Sequence, residues 1–262
     1  MGAVREIMLN IMLSGCCGSM GRAVTAFADN RDDIKITAGI DREGRECRFP
    51  TFVSPFSFNG KVDVIIDFSS PAALPGLLEY AVSAKTPTVI ATTGLNEAHT
   101  ALIYKAAKEI PIFFSANMSL GINLLCELAK TAARVLGGTY VIEIVETHHA
   151  QKTDAPSGTA LMLADAISSE LERKPYYEYD RHLRRTKRPH DEIGIHSIRG
   201  GTAVGEHEII FAGYNETIKL SHCAQSKELF VAGAVNAAKF IQNKEPGLYG
   251  MSDMIDRKDA KK

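Results

Sequence analysis

Ile11-Met12-Leu13-Ser14-Gly15-Cys16-Cys17-Gly18-Ser19-Met20-Gly21 joins a short apolar run to three glycines at three-residue spacing and then to a segment of helical period. The pattern reads as strand, tight turn and helix. Glycine lets a chain turn sharply and come close to a pyrophosphate, whose charge is then met by N–H groups at the helix start. Gly15, Cys16, Cys17, Gly18, Ser19 and Met20 are therefore candidate cofactor-binding positions. Cys17 stands where the G-x-G-x-x-G pattern has its middle glycine, and an ordinary Gly-rich turn shares the remaining spacing.

Downstream residues extend the signal. Asp41 ends the second expected strand about 20 residues after the last glycine, where an acid holds the adenosine ribose hydroxyls. Arg42 beside it can pair with the 2′-phosphate of NADP, so the Asp-Arg pair predicts tolerance of NADH and NADPH; a solvated loop charge is the other reading of Arg42. Ala91-Thr92-Thr93-Gly94 and Ser115-Ala116-Asn117-Met118 each follow an expected strand. Ligands bind outside the carboxyl ends of strands in such sheets, which makes Ala91, Thr92, Thr93, Ser115, Ala116, Asn117 and Met118 further cofactor candidates; as isolated tetrapeptides they would be turns.

Up to residue 118, β-rich runs at Ile7 to Ser14, Ile34 to Asp41, Val62 to Phe68, Thr88 to Thr92 and Ile112 to Ser115 alternate with helical segments after Met20, from Pro71 to Ala84 and from Asn96 to Lys108. Alternation of this kind builds a parallel sheet. Residues 42–61 read as a long connection. After Gly121 come a long helix to Leu136, a strand from Tyr140 to Thr147, a helix from Thr159 to about Glu172, and three strands without intervening helices: Ile193 to Arg199, Glu208 to Ala212 and Thr217 to Ala224. The apolar helical run Leu229 to Ile241 and a tail follow. The fold class is thus α/β: a Rossmann-like parallel sheet domain plus a second α+β domain with an open mixed sheet. We expect a dinucleotide-binding domain over 1–118 with 242–262 and a substrate-binding and oligomerisation domain over 119–241.

Composition narrows the function. The 262 residues carry 30 basic and 31 acidic side chains, a net charge of −1, so no global field favours nucleic acid or an anionic membrane. The basic run Arg181 to Arg188 lacks stacking aromatics and reads as a solvated loop. Five cysteines, Cys16, Cys17, Cys47, Cys126 and Cys223, include no C-x-x-C pair, which fits reduced thiols in a cytoplasmic protein and small buried residues at Cys16 and Cys17. No apolar run reaches the length of a membrane span.

Chemistry concentrates in His148-His149-Ala150-Gln151-Lys152-Thr153-Asp154-Ala155-Pro156-Ser157-Gly158-Thr159. Two imidazoles exchange protons near neutrality, Lys152 adds an ammonium, and a Ser-Gly-Thr turn opening a helix offers N–H and hydroxyl donors to a carboxylate. Adjacent histidines on a regular strand face opposite sides, so a shared role requires the strand to end there. The segment suits an anionic substrate. No metal is expected, because beyond Glu146 and Asp154 no ligand stands at metal-site spacing. Asp154 is expected to fix the loop by bonding backbone N–H groups.

Taken together, the glycine turn with Met20-Gly21-Arg22, Asp67-Phe68-Ser69, Ala91-Thr92-Thr93-Gly94, Ala116-Asn117-Met118-Ser119, the His148 to Thr159 string and Val204-Gly205-Glu206-His207 resemble the dihydrodipicolinate reductase family nearly end to end. The resemblance implies a Rossmann cofactor domain, a second domain for substrate binding and homotetramer formation, NADPH or NADH as hydride donor, and reduction of 4-hydroxy-tetrahydrodipicolinate in diaminopimelate and lysine biosynthesis. It implies His148 and Lys152 as catalytic proton carriers and His149, Gly158 and Thr159 as substrate contacts, to which Ser157 and Thr93 are added. The chain departs from the family at Cys17 and Ser19, where a Gly and a basic residue are common, and at Ala91, where a Gly is usual. Other readings of the same residues are a non-catalytic cofactor-binding protein of this fold and a reductase of another amino or keto acid.

Overall fold

A computed structural model describes residues 8–43, 47–182 and 184–255. Its elements run β1 (Leu9–Ser14), α1 (Ser19–Ala28), β2 (Ile34–Ile40), β3 (Thr51–Phe52), β4 (Val64–Asp67), α2 (Leu74–Ser83), β5 (Thr88–Ile90), α3 (Glu97–Ala106), β6 (Pro111–Phe114), α4 (Leu120–Leu136), β7 (Val141–His148), α5 (Gly158–Ser168), β8 (Tyr176–Glu178), β9 (Glu192–Arg199), β10 (Gly205–Ala212), β11 (Thr217–Ala224), α6 (Glu228–Ile241), β12 (Gly247–Tyr249) and α7 (Met251–Ile255). The start of the first expected strand at Ile7, residues 44–46 of the long connection, Leu183 in the basic run and 256–262 of the tail lie outside the described residues. By contacts the chain divides into residues 1–118 with 228–262 and residues 119–227.

The first unit is a seven-stranded sheet in the order β12-β6-β5-β4-β1-β2-β3. Every pairing in it is parallel. From β1 the chain builds outward through β2 and β3 on one side and through β4, β5 and β6 on the other. The strand order therefore reverses between β1 and β4, and at such a switch point the loops beyond the strand ends splay apart and leave a crevice. Leu9, Ile11 and Leu13 of β1 pack with α1 and α6, while Met12 packs with α2 and α3. Burial on both faces explains why Ile11-Met12-Leu13 is apolar without alternation.

Helix α6 corrects the expected domain boundary. Val231, Ala234, Val235, Ala237, Ala238 and Ile241 are buried in the same cluster as Leu9, Ile11 and Val64, so the helix belongs to the first unit. Its amphipathic pattern showed a buried face but not which sheet would receive it. Gly233 sits where this helix presses on the chain: a Cβ there would lie 1.7 Å from the Met118 carbonyl oxygen.

The second unit is a five-stranded mixed sheet, β11-β10-β7-β9-β8. Strand β9 pairs parallel with both β7 and β8, and β10 pairs antiparallel with both β7 and β11. Ile142 and Ile144 of β7, Ile193 and Ile195 of β9 and Ile209 and Phe211 of β10 share one buried cluster with α4 and α5. Within the unit these helices cover one face. Helix α4 begins at Leu120, ahead of the expected start, because Ser119 caps it by accepting from the Ile122 N–H at 3.1 Å.

Three short strands, β3, β8 and β12, were not expected, since two or three residues are too few to display a period. The basic run makes ion pairs that the sequence did not show. Arg188 reaches Glu143 at 2.9 Å and Arg184 reaches Glu178 at 2.5 Å, while Arg181 pairs with the fully buried Glu192. These arginines neutralise the buried Glu178 and Glu192 and the half-buried Glu143, while the run itself is a loop in which residues 182 and 184–187 are exposed, as expected.

Replacing Gly233 by Ala places a methyl group against backbone that has no room to yield. We expect Gly233→Ala to lower stability by about 1–3 kcal/mol, read as a lower midpoint in chemical or thermal unfolding. An unchanged midpoint would mean that α6 does not depend on this close approach.

Candidate active site

At the end of β1, Gly15 has φ +77°, and a Cβ on it would lie 2.5 Å from the Phe68 carbonyl oxygen after β4. Only glycine lets these two strand ends approach so closely. Gly21 plays the matching part inside α1, where a Cβ would come within 2.3 Å of the Gly15 carbonyl oxygen. Gly18 occupies the N-cap position, and no side chain caps α1. Helices α3, α4 and α5, by contrast, are capped by Asn96, Ser119 and Ser157. The first-turn N–H groups of α1 are thus left for a partner other than a side-chain cap, as a phosphate requires.

Asp41 follows β2 and accepts the Cys17 N–H at 3.0 Å, so the acid expected at the ribose stands beside the glycine turn. The Arg42 side chain is 92% exposed, with the Glu43 carboxylate 4.0 Å away. Cys16 is buried and Cys17 partly buried. Burial is the main cause that holds both thiols above their ordinary range. Ser19 is exposed and Met20 half-buried against the core.

The remaining first-unit candidates separate into exposed and internal groups. Thr92 is buried and donates its hydroxyl to Asp67 at 2.7 Å, fastening the end of β5 to the end of β4. Asp67 also accepts from the Ser69 hydroxyl at 2.6 Å, and complete burial raises its carboxyl above the usual range despite these bonds. Ala91 and Met118 face the core, whereas Thr93 and Ala116 are exposed. Ser115 donates its hydroxyl to the Asn117 carbonyl at 2.8 Å and shapes the turn after β6.

His148 is the last residue of β7, so the strand ends where the paired histidines require. Its Nδ1 lies 2.5 Å from Glu146 Oε2, two residues back on the same strand face. Arg199, the register partner of His148 at the end of β9, donates to both Glu146 oxygens at 2.9 and 2.7 Å. The Ser157 N–H completes the shell of Glu146 at 3.1 Å. Beyond the strand, the His149 N–H bonds the Ala203 carbonyl at 2.8 Å, and a turn closes from the Lys152 N–H to the His149 carbonyl at 3.1 Å. This returns the Lys152 side chain to the neighbourhood of His148.

Lys152 pairs with Asp154 at 2.8 Å. Asp154 was expected to bond backbone N–H groups; its carboxylate accepts its own backbone N–H and also takes the Lys152 ammonium, which is the main cause that holds it below its ordinary range. Ser157 has a further part in the site. Its hydroxyl accepts the Ala160 N–H at 3.1 Å and lies 3.1 Å from His207 Nε2, so this buried residue caps α5 and supports the site from within. Gly158, first in α5, is exposed and has open space where a Cβ would be; Thr159 and His149 are half-buried.

Charge states follow from these contacts. Burial opposes ionisation of Glu146, but Arg199, Ser197, His148 and the Ser157 N–H together lower its carboxyl to about 2. Burial depresses the His148 imidazole, helped by Lys152 and Arg199 and opposed by Glu146. Against an ionised carboxylate, neutral His148 must place its proton on Nδ1, leaving the Nε2 lone pair as acceptor. Gly205 leaves room there, since a Cβ would lie 3.0 Å from Nε2. His207, edge-on to His148 at 5.3 Å, is lowered to about 4 by burial and by His148.

Glu146, His148 and His207 stand close enough to hold an ion. Both Glu146 oxygens are already committed to Arg199, however, which makes the carboxylate an ion-pair partner rather than a ligand. Sequence reasoning missed Glu146, Arg199 and His207 as members of the site. The i, i+2 spacing of Glu146 and His148 at a strand end was a usable signal; the register that brings Arg199 alongside was not visible before the sheet order was known.

Two family matches cover the chain: "Dihydrodipicolinate reductase, N-terminus" over residues 9–118 and "Dihydrodipicolinate reductase, C-terminus" over residues 121–255. The 4-hydroxy-tetrahydrodipicolinate reductase of Caldanaerobacter subterraneus subsp. tengcongensis is 49% identical over 251 residues, 96% of this chain and 100% of the relative. That of Clostridium botulinum is 47% identical over 249 residues, 95% of this chain and 98% of the relative. Among solved structures, dipicolinate-bound dihydrodipicolinate reductase from Paenisporosarcina sp. TG-14 shares the fold with a TM-score of 0.79 at 22% identity, covering 95% of this chain and 100% of that one.

Glu146 has no exposure to water, so removing its guanidinium partner leaves a buried charge. Arg199→Leu is expected to cost about 3–5 kcal/mol of stability. The pH dependence has a definite sign. With Glu146 lowered from its ordinary 4.5 to about 2, its contribution is full above pH 4.5 and is lost as pH falls towards 2. Glu146→Gln should flatten that acid limb of the unfolding profile, and an unchanged limb would count against the pairing.

Proposed function

The chain belongs to the dihydrodipicolinate reductase family, and from that premise we propose that it reduces 4-hydroxy-tetrahydrodipicolinate to tetrahydrodipicolinate with NADPH or NADH, releasing water. The observation that carries the reading is the Arg199–Glu146–His148 chain beside Lys152, which supplies a neutral proton acceptor and an ammonium donor at one strand end.

The residues present fit a dinucleotide. The uncapped start of α1 with Gly15, Cys16, Cys17, Gly18, Ser19 and Met20 would hold the pyrophosphate, Asp41 the ribose hydroxyls and Arg42 a 2′-phosphate. Thr93 and the Ser115 to Met118 turn, both following strands of the same sheet, would border the nicotinamide. Thr92, Ala91 and Met118 serve through backbone and packing, because their side chains are internal. When bound, the reduced nicotinamide supplies a hydride to the ring carbon that carried the hydroxyl.

This chain's residues handle the protons. Loss of water removes the hydroxyl together with a proton from the ring carbon next to the imine. His148 Nε2 accepts that proton, Glu146 stabilises the imidazolium that results, and the imidazolium passes the proton to the departing hydroxyl, which leaves as water. After hydride addition the same carbon regains a proton, which Lys152 donates. Gly158, Thr159 and His149 hold a ring carboxylate at the start of α5, where the helix favours negative charge. Glu146, Arg199, Ser157 and His207 are positioning residues that fix the tautomer and the helix start.

We also propose a homotetramer. The face of the second sheet turned away from α4 and α5 carries Ile198, 51% exposed, and is uncovered within its own unit. Light scattering of the purified chain should return four times its mass. No helix among the described residues is long and apolar enough to cross a membrane.

Freshly made substrate should drive oxidation of NADPH or NADH by the purified protein, with pyridine-2,6-dicarboxylate as a competitive inhibitor; no substrate-dependent loss of nicotinamide absorbance with either cofactor would refute the activity. His148→Gln and Lys152→Ala should each lower kcat by about 10²–10⁴-fold. Because His148 acts neutral and lies below its ordinary 6.5, kcat/KM should fall as pH drops through a midpoint below 6.5. Glu146→Gln removes the charge that raises this midpoint and should move it further to acid.

Cofactor preference is tested separately. Arg42→Ala should weaken NADPH binding and leave NADH binding unchanged in a fluorescence titration; equal NADPH affinity in the variant would exclude the phosphate contact.

A further inference from the structure

Cys16 and Cys17 lie inside the glycine turn, between Gly15 and Gly18, and Cys47 lies 30 residues beyond Cys17 with no metal-site spacing to either. The fold nevertheless brings all three together. Cys16 Sγ is 3.9 Å from Cys17 Sγ, and Cys17 Sγ is 3.9 Å from Cys47 Sγ. All three sulfurs fall within 4.8 Å of one another, and none is in a disulfide.

That spacing has a chemical meaning. With metal–sulfur bonds of about 2.3 Å, the sulfurs of a tetrahedral or trigonal thiolate site stand about 3.8–4.0 Å apart. The two separations to Cys17 Sγ therefore already match what a thiophilic cation imposes, about twice the length of an S–S bond, and the third is bounded by 4.8 Å. Their surroundings restrict other arrangements. Cys16 Sγ packs against Gly39, where a Cβ would be 2.6 Å from the sulfur, and the same position is closed by the Phe49 ring. Asp41, bonded to the Cys17 N–H, adds negative charge beside the cluster.

We propose that Cys16, Cys17 and Cys47 form a binding site for one thiophilic cation of the Zn²⁺ type, with three thiolate ligands and a fourth position open to water or an exogenous ligand. The cation displaces the thiol protons as it binds, so uptake releases protons and strengthens with pH. This site is separate from the Glu146, His148 and His207 group, whose carboxylate is committed to Arg199 and which contains no sulfur. The inference rests on sulfur geometry and does not depend on the proposed reaction.

The test uses the full chain, fully reduced and free of oxygen. Zn²⁺ titrated against a chromophoric chelator should reveal one equivalent per chain, and Co²⁺ should give the near-ultraviolet thiolate charge-transfer band of a sulfur-rich site. Cys17→Ser and Cys47→Ser should each weaken Zn²⁺ by more than the about 10–100-fold that loss of an outer partner alone costs. Cys223→Ser, exposed in the second unit, should bind as the parent does. In the unaltered protein, Zn²⁺ should also protect Cys17 and Cys47 from alkylation, read by peptide mass spectrometry, which keeps the test independent of how the variants fold. Absence of a thiolate band, Zn²⁺ binding that survives both substitutions, or alkylation of Cys17 and Cys47 at an unchanged rate would each overturn the site.

Discussion

A carboxylate without access to water organises the second unit, because an unpaired charge in such a place costs several kcal/mol, about 3–5 when a partner is removed. Glu146 meets that constraint with groups from three elements: the two guanidinium bonds of Arg199 from β9, the Ser157 N–H before α5 and the His148 imidazole on its own strand. One charge therefore fixes the end of β9, the start of α5 and the tautomer of His148 together. Ser157 extends the arrangement by capping α5 and touching His207, so the helix that would receive a substrate carboxylate begins at a position set by the buried acid.

In the first unit the governing constraint is steric. Strand ends β1 and β4 approach so closely that the Phe68 carbonyl occupies the space of a Gly15 Cβ, and α1 rests on the turn through Gly21. Cys17, although it stands at a glycine position of the usual pattern, is not among the residues with positive φ. The backbone at that position admits a side chain. This separates the glycines the turn requires for its geometry, Gly15 and Gly21, from a middle position where this chain carries a thiol and gains the cluster with Cys16 and Cys47.

The legible parts of the fold were those with local causes. The apolar run of β1, the three glycines and the alternating elements after them announced the parallel sheet, and adjacent histidines before a Pro-Ser-Gly turn marked the end of β7. What depended on non-local pairing was hidden. Helix α6 showed an apolar face but not its sheet; the pairing of Arg188 with Glu143 was hidden because the acid stands on a distant strand; Arg199 entered the site only through the register of β9 with β7. The capping role of Ser157 was hidden for the same reason, since the cap and the Glu146 contact both arise from the folded start of α5.

With a net charge of −1, anion recognition must be local, and the two cations nearest His148 differ in how firmly they are held. Arg199 lies against a carboxylate with no exposure, so withdrawing it would strand a buried charge, and it remains a fixed part of the scaffold. Lys152 pairs with Asp154, whose side chain is 56% exposed, and an ion pair of that kind contributes only about 0–1 kcal/mol. An incoming carboxylate can take the ammonium from Asp154 at little cost, because Asp154 returns to water. The same contrast separates their chemistry: the guanidinium keeps Glu146 ionised and His148 oriented, while the loosely held ammonium is the charge free to follow a substrate and give it a proton.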